Sequence, residues 1–281
     1  MLSTAQSNIE SLSLQKIVAS IEYDGAKYSG WQKQNSPFQE TVQGKLEAAL
    51  SKIADNAIKT YCAGRTDAGV HATTQVVHFE TRIDRGVKAW EVGTNSFLPP
   101  SIRVIWSKPV KNEFHARFSA EARRYHYIIQ ERKTKSAVLA GKITQSRVQL
   151  NSEAMNLAAT SLIGEQDFSA FRAAGCQSKT PFRNVISAKI VRQGTFLVFD
   201  IKANAFLQHM VRNIVGALLE IGREERKPSW LGELLEGRDR SLGAITAPPD
   251  GLYLVGVQYP EEFTIPSGYV EPPFLTPIPL D

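Results

Sequence analysis

Cysteine is nearly absent: Cys62 and Cys176 are the two in the chain, far apart and without a CxxC or CxxH neighbour. Neither a disulfide framework nor a structural zinc site fits that arithmetic. No apolar run approaches the roughly 18 residues that a membrane span needs. The opening stretch, MLSTAQSNIESLSLQ, lacks the basic-then-apolar order of a signal peptide. These absences predict a cytoplasmic protein with no membrane association and a flexible polar leader over residues 1–13. GxGxxG, P-loop and GxSxG patterns are missing too, which disfavours nucleotide cofactors and the hydrolase type of serine nucleophile. His71 and His78 have no third ligand near them, and His115 and His126 have no partner pattern, so no metal is expected.

What is present is ordinary in amount. Apolar residues make up 42% and charged residues 22%, as in a soluble globular protein. The 33 basic residues exceed the 28 acidic ones, a modest hint of an anionic partner, nucleic acid first among them.

Hydrophobic periodicity divides the chain into two sets of elements. In the first set, KIVASIEYDG (16–25) alternates as a half-buried strand, and TVQGKLEAALSKIA (41–54) has helical spacing behind a possible Thr41 cap. QVVHFET (75–81) is a further strand, and another follows the Pro-Pro turn within 95–110. In the second set, 122–132 is an alternating aromatic strand, 151–164 an amphipathic helix with a glycine stop, and 184–206 a hairpin turning at Gln193-Gly194. A long helix over 205–222 and a last strand over 251–259 follow. The fold class predicted is α+β, with two similar halves (14–115 and 116–262), each a mainly antiparallel sheet with helices on one face. The Pro-rich tail, 263–281, is expected to lack regular structure.

Within GRTDAG, Gly64 and Gly69 allow positive φ and Arg65 puts a cation near Asp67, so the motif fits a catalytic carboxylate and a turn-capping one equally. Tyr125 and Tyr127 lie on one strand face behind Arg123 and Arg124, a pattern that suits base stacking as well as plain core packing. Across 205–222, His209, Arg212 and Gly216 share a face, either a solvated surface or a site where something approaches closely.

Those motifs converge. GRTDAGVHA with QVVHF, YDGAKYSGWQKQ (23–34), FHARFSAEARRYHY (114–127), FRNV (182–185), ANAFLQHMVRNIVG (203–216) and DGLYLVGV (250–257) closely resemble the tRNA pseudouridine synthase A (TruA) family, in order over roughly residues 14–260. The resemblance implies an isomerase that converts uridine to pseudouridine at positions 38, 39 and 40 of the tRNA anticodon stem-loop, after flipping the base. It implies a fold of two α+β halves with a basic active-site cleft between them, a homodimer, and no metal or organic cofactor. By the same resemblance Asp67 is the nucleophile, Arg212 its ion-pair partner, Tyr125 the ring stacked on uracil and Arg65 the side chain that replaces the flipped base. Leu254 would belong to the apolar wall. Arg117, Arg123, Arg124, Lys179 and Arg183 are candidates for the RNA backbone. Two rivals are a non-catalytic RNA-binding module and a nucleoside hydrolase, the latter requiring a second carboxylate near Asp67.

Overall fold

The computed structural model describes residues 14–34, 38–266 and 268–278. The expected leader and the final three residues of the Pro-rich tail lie outside the described residues. Among the described residues ten strands form one sheet: β1 (Gln15–Tyr23), β2 (Tyr61–Cys62), β3 (His71–Thr81), β4 (Ile102–Val110), β5 (Ala122–Glu131), β6 (Thr144–Ser146), β7 (Gly164–Asp167), β8 (Phe182–Gln193), β9 (Phe196–Ala203) and β10 (Leu252–Gln258). Their order is β4-β1-β3-β10-β5-β9-β8-β7, with β2 beside β3 and β6 beside β5. All pairings are antiparallel except β10–β3 and β5–β6. The architecture is α+β with strands from two halves, as the periodicity predicted. The halves do not keep separate sheets, however. β10, the last strand, lies between β3 and β5 and joins them through Tyr253↔His71 and Leu254↔Ala72 on one side and Leu254↔Tyr125 on the other.

Helix α1 (Val42–Ala54) begins where expected, because Thr41 is extended and its hydroxyl accepts from Gly44 N. The next helices are α2 (Thr94–Phe97) and α3 (Ser152–Ala159), the latter capped by the Asn151 side chain. Helix α3 stops short of the glycine that was expected to end it. A tight turn over Thr160–Leu162 and an extended Ile163 intervene, and Gly164, at φ +100°, opens β7 instead. Helix α4 (Met210–Gly222) starts five residues later than its apolar period suggests, because His209 adopts a left-handed conformation, φ +62°. Helix α5 (Trp230–Gly237) follows.

Leu46 and Leu50 of α1, Met155 of α3, Ile214 and Leu218 of α4 and Leu231 of α5 pack with the inward side chains of the sheet in one hydrophobic core. Each such side chain, once fully buried, contributes about 1.5–3 kcal/mol, and this holds the helices on the sheet. Alternation sends Ile128 of β5 and Tyr253 and Val255 of β10 to the opposite face, where they meet Tyr269, Phe274 and Leu275 of the tail. The tail is irregular, as its prolines require, yet tied down. Val270 N donates to Val255 O at 2.9 Å, and Gln193 and Thr276 exchange hydrogen bonds of 2.8 and 3.0 Å. Beneath it lies a buried charged cluster. Arg124 donates to Asp200 at 2.7 Å and sits 4.0 Å from the Tyr269 ring, while His126 lies between Asp200 (3.3 Å) and Glu271 (3.4 Å) at ion-pair distance without aligned hydrogen bonds. Burial opposes the charge on Asp200, but Arg124 and His126 outweigh it and bring its pKa down to about 2. Burial also opposes charge on His126, and here the two carboxylates prevail, raising its pKa above the ordinary value. Among the described residues no helix is long and apolar enough to cross a membrane.

Candidate active site

Asp67 stands on the turn between β2 and β3, and three sets of contacts fix that turn. Underneath, the fully buried amide of Gln75 donates to Gly64 O at 2.6 Å and accepts from Gly64 N at 3.3 Å, and the Tyr23 phenol and Thr66 hydroxyl hydrogen-bond at 2.7 Å. From the side, the segment 24–31 clasps it: Trp31 N donates to Thr66 O, Gly69 N to Tyr28 O, and Gly25 N to His71 Nδ1 at 3.1 Å. Within the turn, Val70 N donates to Asp67 O at 3.2 Å. Each such bond is worth only about 0.5–1.5 kcal/mol net, so their chief effect is to determine where the carboxylate points. Gly69 has the positive φ its position suggested, +80°; Gly64 does not, and a Cβ there would make only an ordinary contact, 3.4 Å from the Tyr125 hydroxyl.

The first turn of α4 brings Arg212 to the carboxylate. Its Nη1 lies 3.4 Å from Asp67 Oδ2, and its Nε donates to Ala247 O at 2.8 Å while Ala247 N donates back to Arg212 O. Gly216 makes this possible. A Cβ there would fall 2.2 Å from Ile245 O, so the group approaching that glycine is the segment 244–247, which supplies the arginine's second partner. His209 Nε2 lies 3.6 Å from the same Asp67 oxygen, a salt bridge only when the imidazole is protonated. Asp67 thus faces two basic groups, and no second carboxylate is paired with it among the described contacts.

Tyr125 and Leu254 are register partners on β5 and β10, placed at the seam between the halves. Tyr125 is buried, with its ring edge against Phe206 at 5.0 Å. Burial raises its phenol pKa far above the ordinary value; Arg123 opposes this and the charge of Asp67 adds to it, so the group stays protonated at neutral pH. Leu254 is fully buried. Burial likewise pushes the Cys62 thiol up to about 12, which leaves it no role as a thiolate. Arg65 is exposed, its Nη1 3.5 Å from Gln177 Oε1.

The five RNA-backbone candidates divide. Arg117 and Lys179 are exposed. Arg123 is buried and donates to the carbonyls of Ala63, Ala120, Asn204 and Arg117. Arg124 is held by Asp200, and Arg183 by Thr180 O, Phe182 O and the Ser178 hydroxyl. Those three guanidinium groups are engaged within the protein.

Comparison with known proteins gives this geometry a context. A family model described as tRNA pseudouridine synthase matches residues 19–119 and 158–260. A tRNA pseudouridine synthase A of Salmonella typhimurium is 53% identical over 95% of this chain and 98% of its own length. One of Salmonella paratyphi B is 54% identical over 92% and 96% respectively. The chain belongs to the tRNA pseudouridine synthase A family. Among solved structures, an archaeal box H/ACA sRNP Nop10–Cbf5 complex aligns at a TM-score of 0.34 and 10% identity, covering 84% of this chain and 46% of that one, too slight a likeness to build on.

A tRNA pseudouridine synthase is an isomerase: the reaction moves the uracil's attachment from N1 to C5 and needs no net oxidant or reductant. Of the residues named from the sequence, Arg212 meets Asp67 and Tyr125 feels its charge, while Leu254 is the register partner of Tyr125 and Arg65 reaches Gln177. The sequence did not point to Tyr23, Gln75 or Gly25, whose contacts orient the turn, nor to His209 as a neighbour of the carboxylate. YDGAKYSGWQ was visible as a motif, but that it clasps the Asp67 turn appears only in three dimensions.

Proposed function

We propose that this synthase converts uridine to pseudouridine at positions 38, 39 and 40 of the tRNA anticodon stem-loop, with Asp67 as the nucleophile. The observation that carries this reading is the meeting of Asp67 with Arg212, 145 residues away in the chain, near enough to Tyr125 for the carboxylate to act on its phenol. The N1–C1′ bond breaks, C5–C1′ forms, the C5 hydrogen leaves as a proton, and N1 gains one, so atoms and electrons balance. A carboxylate can open this sequence by attack at C6 of the ring or at C1′ of the sugar, and in both routes it must be ionised and aimed. Arg212 supports the aim, with its Nη1 3.4 Å from Asp67 Oδ2. The target base must first leave its stack, at a cost of a few kcal/mol that stacking on Tyr125 and insertion of Arg65 would offset. Exposed Arg117 and Lys179 remain the phosphate candidates, and they predict binding that weakens with salt. The same reading takes 14–115 and 116–262 as two halves flanking a cleft, acting in the cytoplasm as a homodimer.

Tritium release from tRNA carrying 5-³H-uridine tests it. Asp67→Asn and Asp67→Ala are expected to abolish release while retaining tRNA binding. Wild-type turnover in either variant would refute the assignment, and binding without any release by the unaltered protein would favour a non-catalytic RNA module.

A further inference from the structure

One group of rings near the Asp67 turn has no part in the reaction described above. His78, buried on β3, stacks on Tyr61 of β2 at 5.0 Å and 17°. His115 packs against both, 4.6 Å from His78 and 5.5 Å from Tyr61, and Phe118 lies 4.3 Å from His115. The series runs from the core to the surface and ends on a phenyl ring that is 75% exposed.

A lone exposed phenylalanine is ordinary; this one is held in place. The 115–119 turn is closed by four hydrogen bonds: His115 Nδ1 accepts from Arg117 N (3.1 Å) and Phe118 N (3.3 Å), Ser119 Oγ accepts from His115 N, and Ser119 N donates to His115 O. From below, Ala116 N donates to His78 Nδ1 at 3.0 Å. Burial lowers the pKa of both imidazoles, and nearby Lys16 adds to this, which suits nitrogens that accept these bonds. Cations lie over the two exposed rings, Lys59 at 5.4 Å from Tyr61 and Arg117 at 5.6 Å from Phe118. The patch also adjoins the site. Tyr61 is four residues before Arg65, and one guanidinium, that of Arg123, bridges Ala63 O and Arg117 O.

We propose that Phe118 and Tyr61, with Arg117 and Lys59, form a second nucleotide-binding position, which stacks an unpaired base of the substrate RNA next to the target uridine and neutralises its phosphate. The inference rests on the tRNA reading above. Exposed aromatic rings held in place, each with a cation beside it, are the arrangement that binds single-stranded nucleic acid with little base preference. A second copy of this chain would bring the same cations against one another.

The test is steady-state tritium release by the full chain on 5-³H-uridine tRNA, with sedimentation of each variant. Phe118→Ala is expected to raise KM about 5- to 150-fold, the range that base–aromatic stacking supplies, with kcat within about twofold. Phe118→Trp should keep KM near the wild-type value, and Phe118→Leu, apolar but without a π-face, should not. An unchanged KM in Phe118→Ala overturns the inference and leaves the tRNA reading standing. A change of oligomeric state in Phe118→Ala also overturns it, by assigning the patch to a second copy. Absence of release by the wild-type protein overturns both.

Discussion

Gly25 places the Asp67 turn by allowing two backbones to come closer than any side chain permits. A Cβ at residue 25 would lie 1.9 Å from Val70 O and 2.5 Å from Val70 C. Both are backbone atoms, so neither can swing aside as the end of a long side chain could. In Gly25→Ala the oxygen contact must open to roughly 3.0 Å, a displacement of about 1.1 Å. Overpacking of this kind costs about 1–3 kcal/mol of stability. The functional effect is larger, because Val70 N is bonded to Asp67 O and Gly25 N to His71 Nδ1, so the shift travels directly into the turn. A 1 Å misplacement of a catalytic group lowers the rate by about 100-fold. We therefore expect kcat, measured by tritium release at saturating tRNA, to fall by about that factor, while the melting temperature drops by only a few degrees. Gly237→Ala is the control, since a Cβ there meets nothing within 4 Å and φ is not positive. A Gly25→Ala protein with wild-type kcat would refute the argument that this contact positions Asp67.

Two other perturbations follow from the same geometry. Arg212→Lys keeps a positive charge but cannot reach Asp67 Oδ2 and Ala247 O together in a planar fork, so kcat should fall about 10- to 100-fold with KM little changed; equal loss in KM and none in kcat would place Arg212 in binding alone. The tail has a pH dependence set by His126, whose pKa is raised in the folded state by Asp200 and Glu271. Its contribution is complete below the ordinary imidazole value of about 6.5 and is lost as pH rises through the raised folded value. Glu271→Gln should therefore lower the melting temperature more at about pH 6 than at about pH 9, and equal decrements at both would show that the pair carries no charge.

The readable parts of the sequence were those in which local chemistry and final structure agree. Thr41 announces α1 because its hydroxyl caps the helix wherever the helix packs, and Gly194, at φ +59°, sits in the hairpin turn read at Gln193-Gly194. The start of α4 was misplaced because Phe206 and Leu207 continue an apolar period that the left-handed His209 interrupts. β7 was invisible since Gly164–Asp167 has no alternation of its own and owes its extension to pairing with β8. Among the arginines, composition showed cations beside aromatics, but nothing local says that Arg123 faces four carbonyls. Within the site, Asp67 and Arg212 could be named from their motifs, whereas the supports in Gln75, Tyr23 and Gly25 depend on contacts between segments up to 46 residues apart in the chain.

The position of β10 also bears on the order in which the protein is made. On the ribosome, β3 and β5 emerge long before residues 252–258, and until then the stretches that β10 pairs, His71–Ala72 of β3 and 122–127 of β5, lack a partner on that edge. Asp67 and Arg212 are both synthesised by residue 212, but the strand that carries Leu254 and locks the two halves together arrives 40 residues later. Folding of the sheet therefore cannot finish progressively from the N-terminus, and a nascent chain must wait with parts of two edges exposed to pairing with a neighbour. In return, a broken message that ends before this strand leaves a sheet whose two halves are not joined: the last strand to be made is the one that closes the fold.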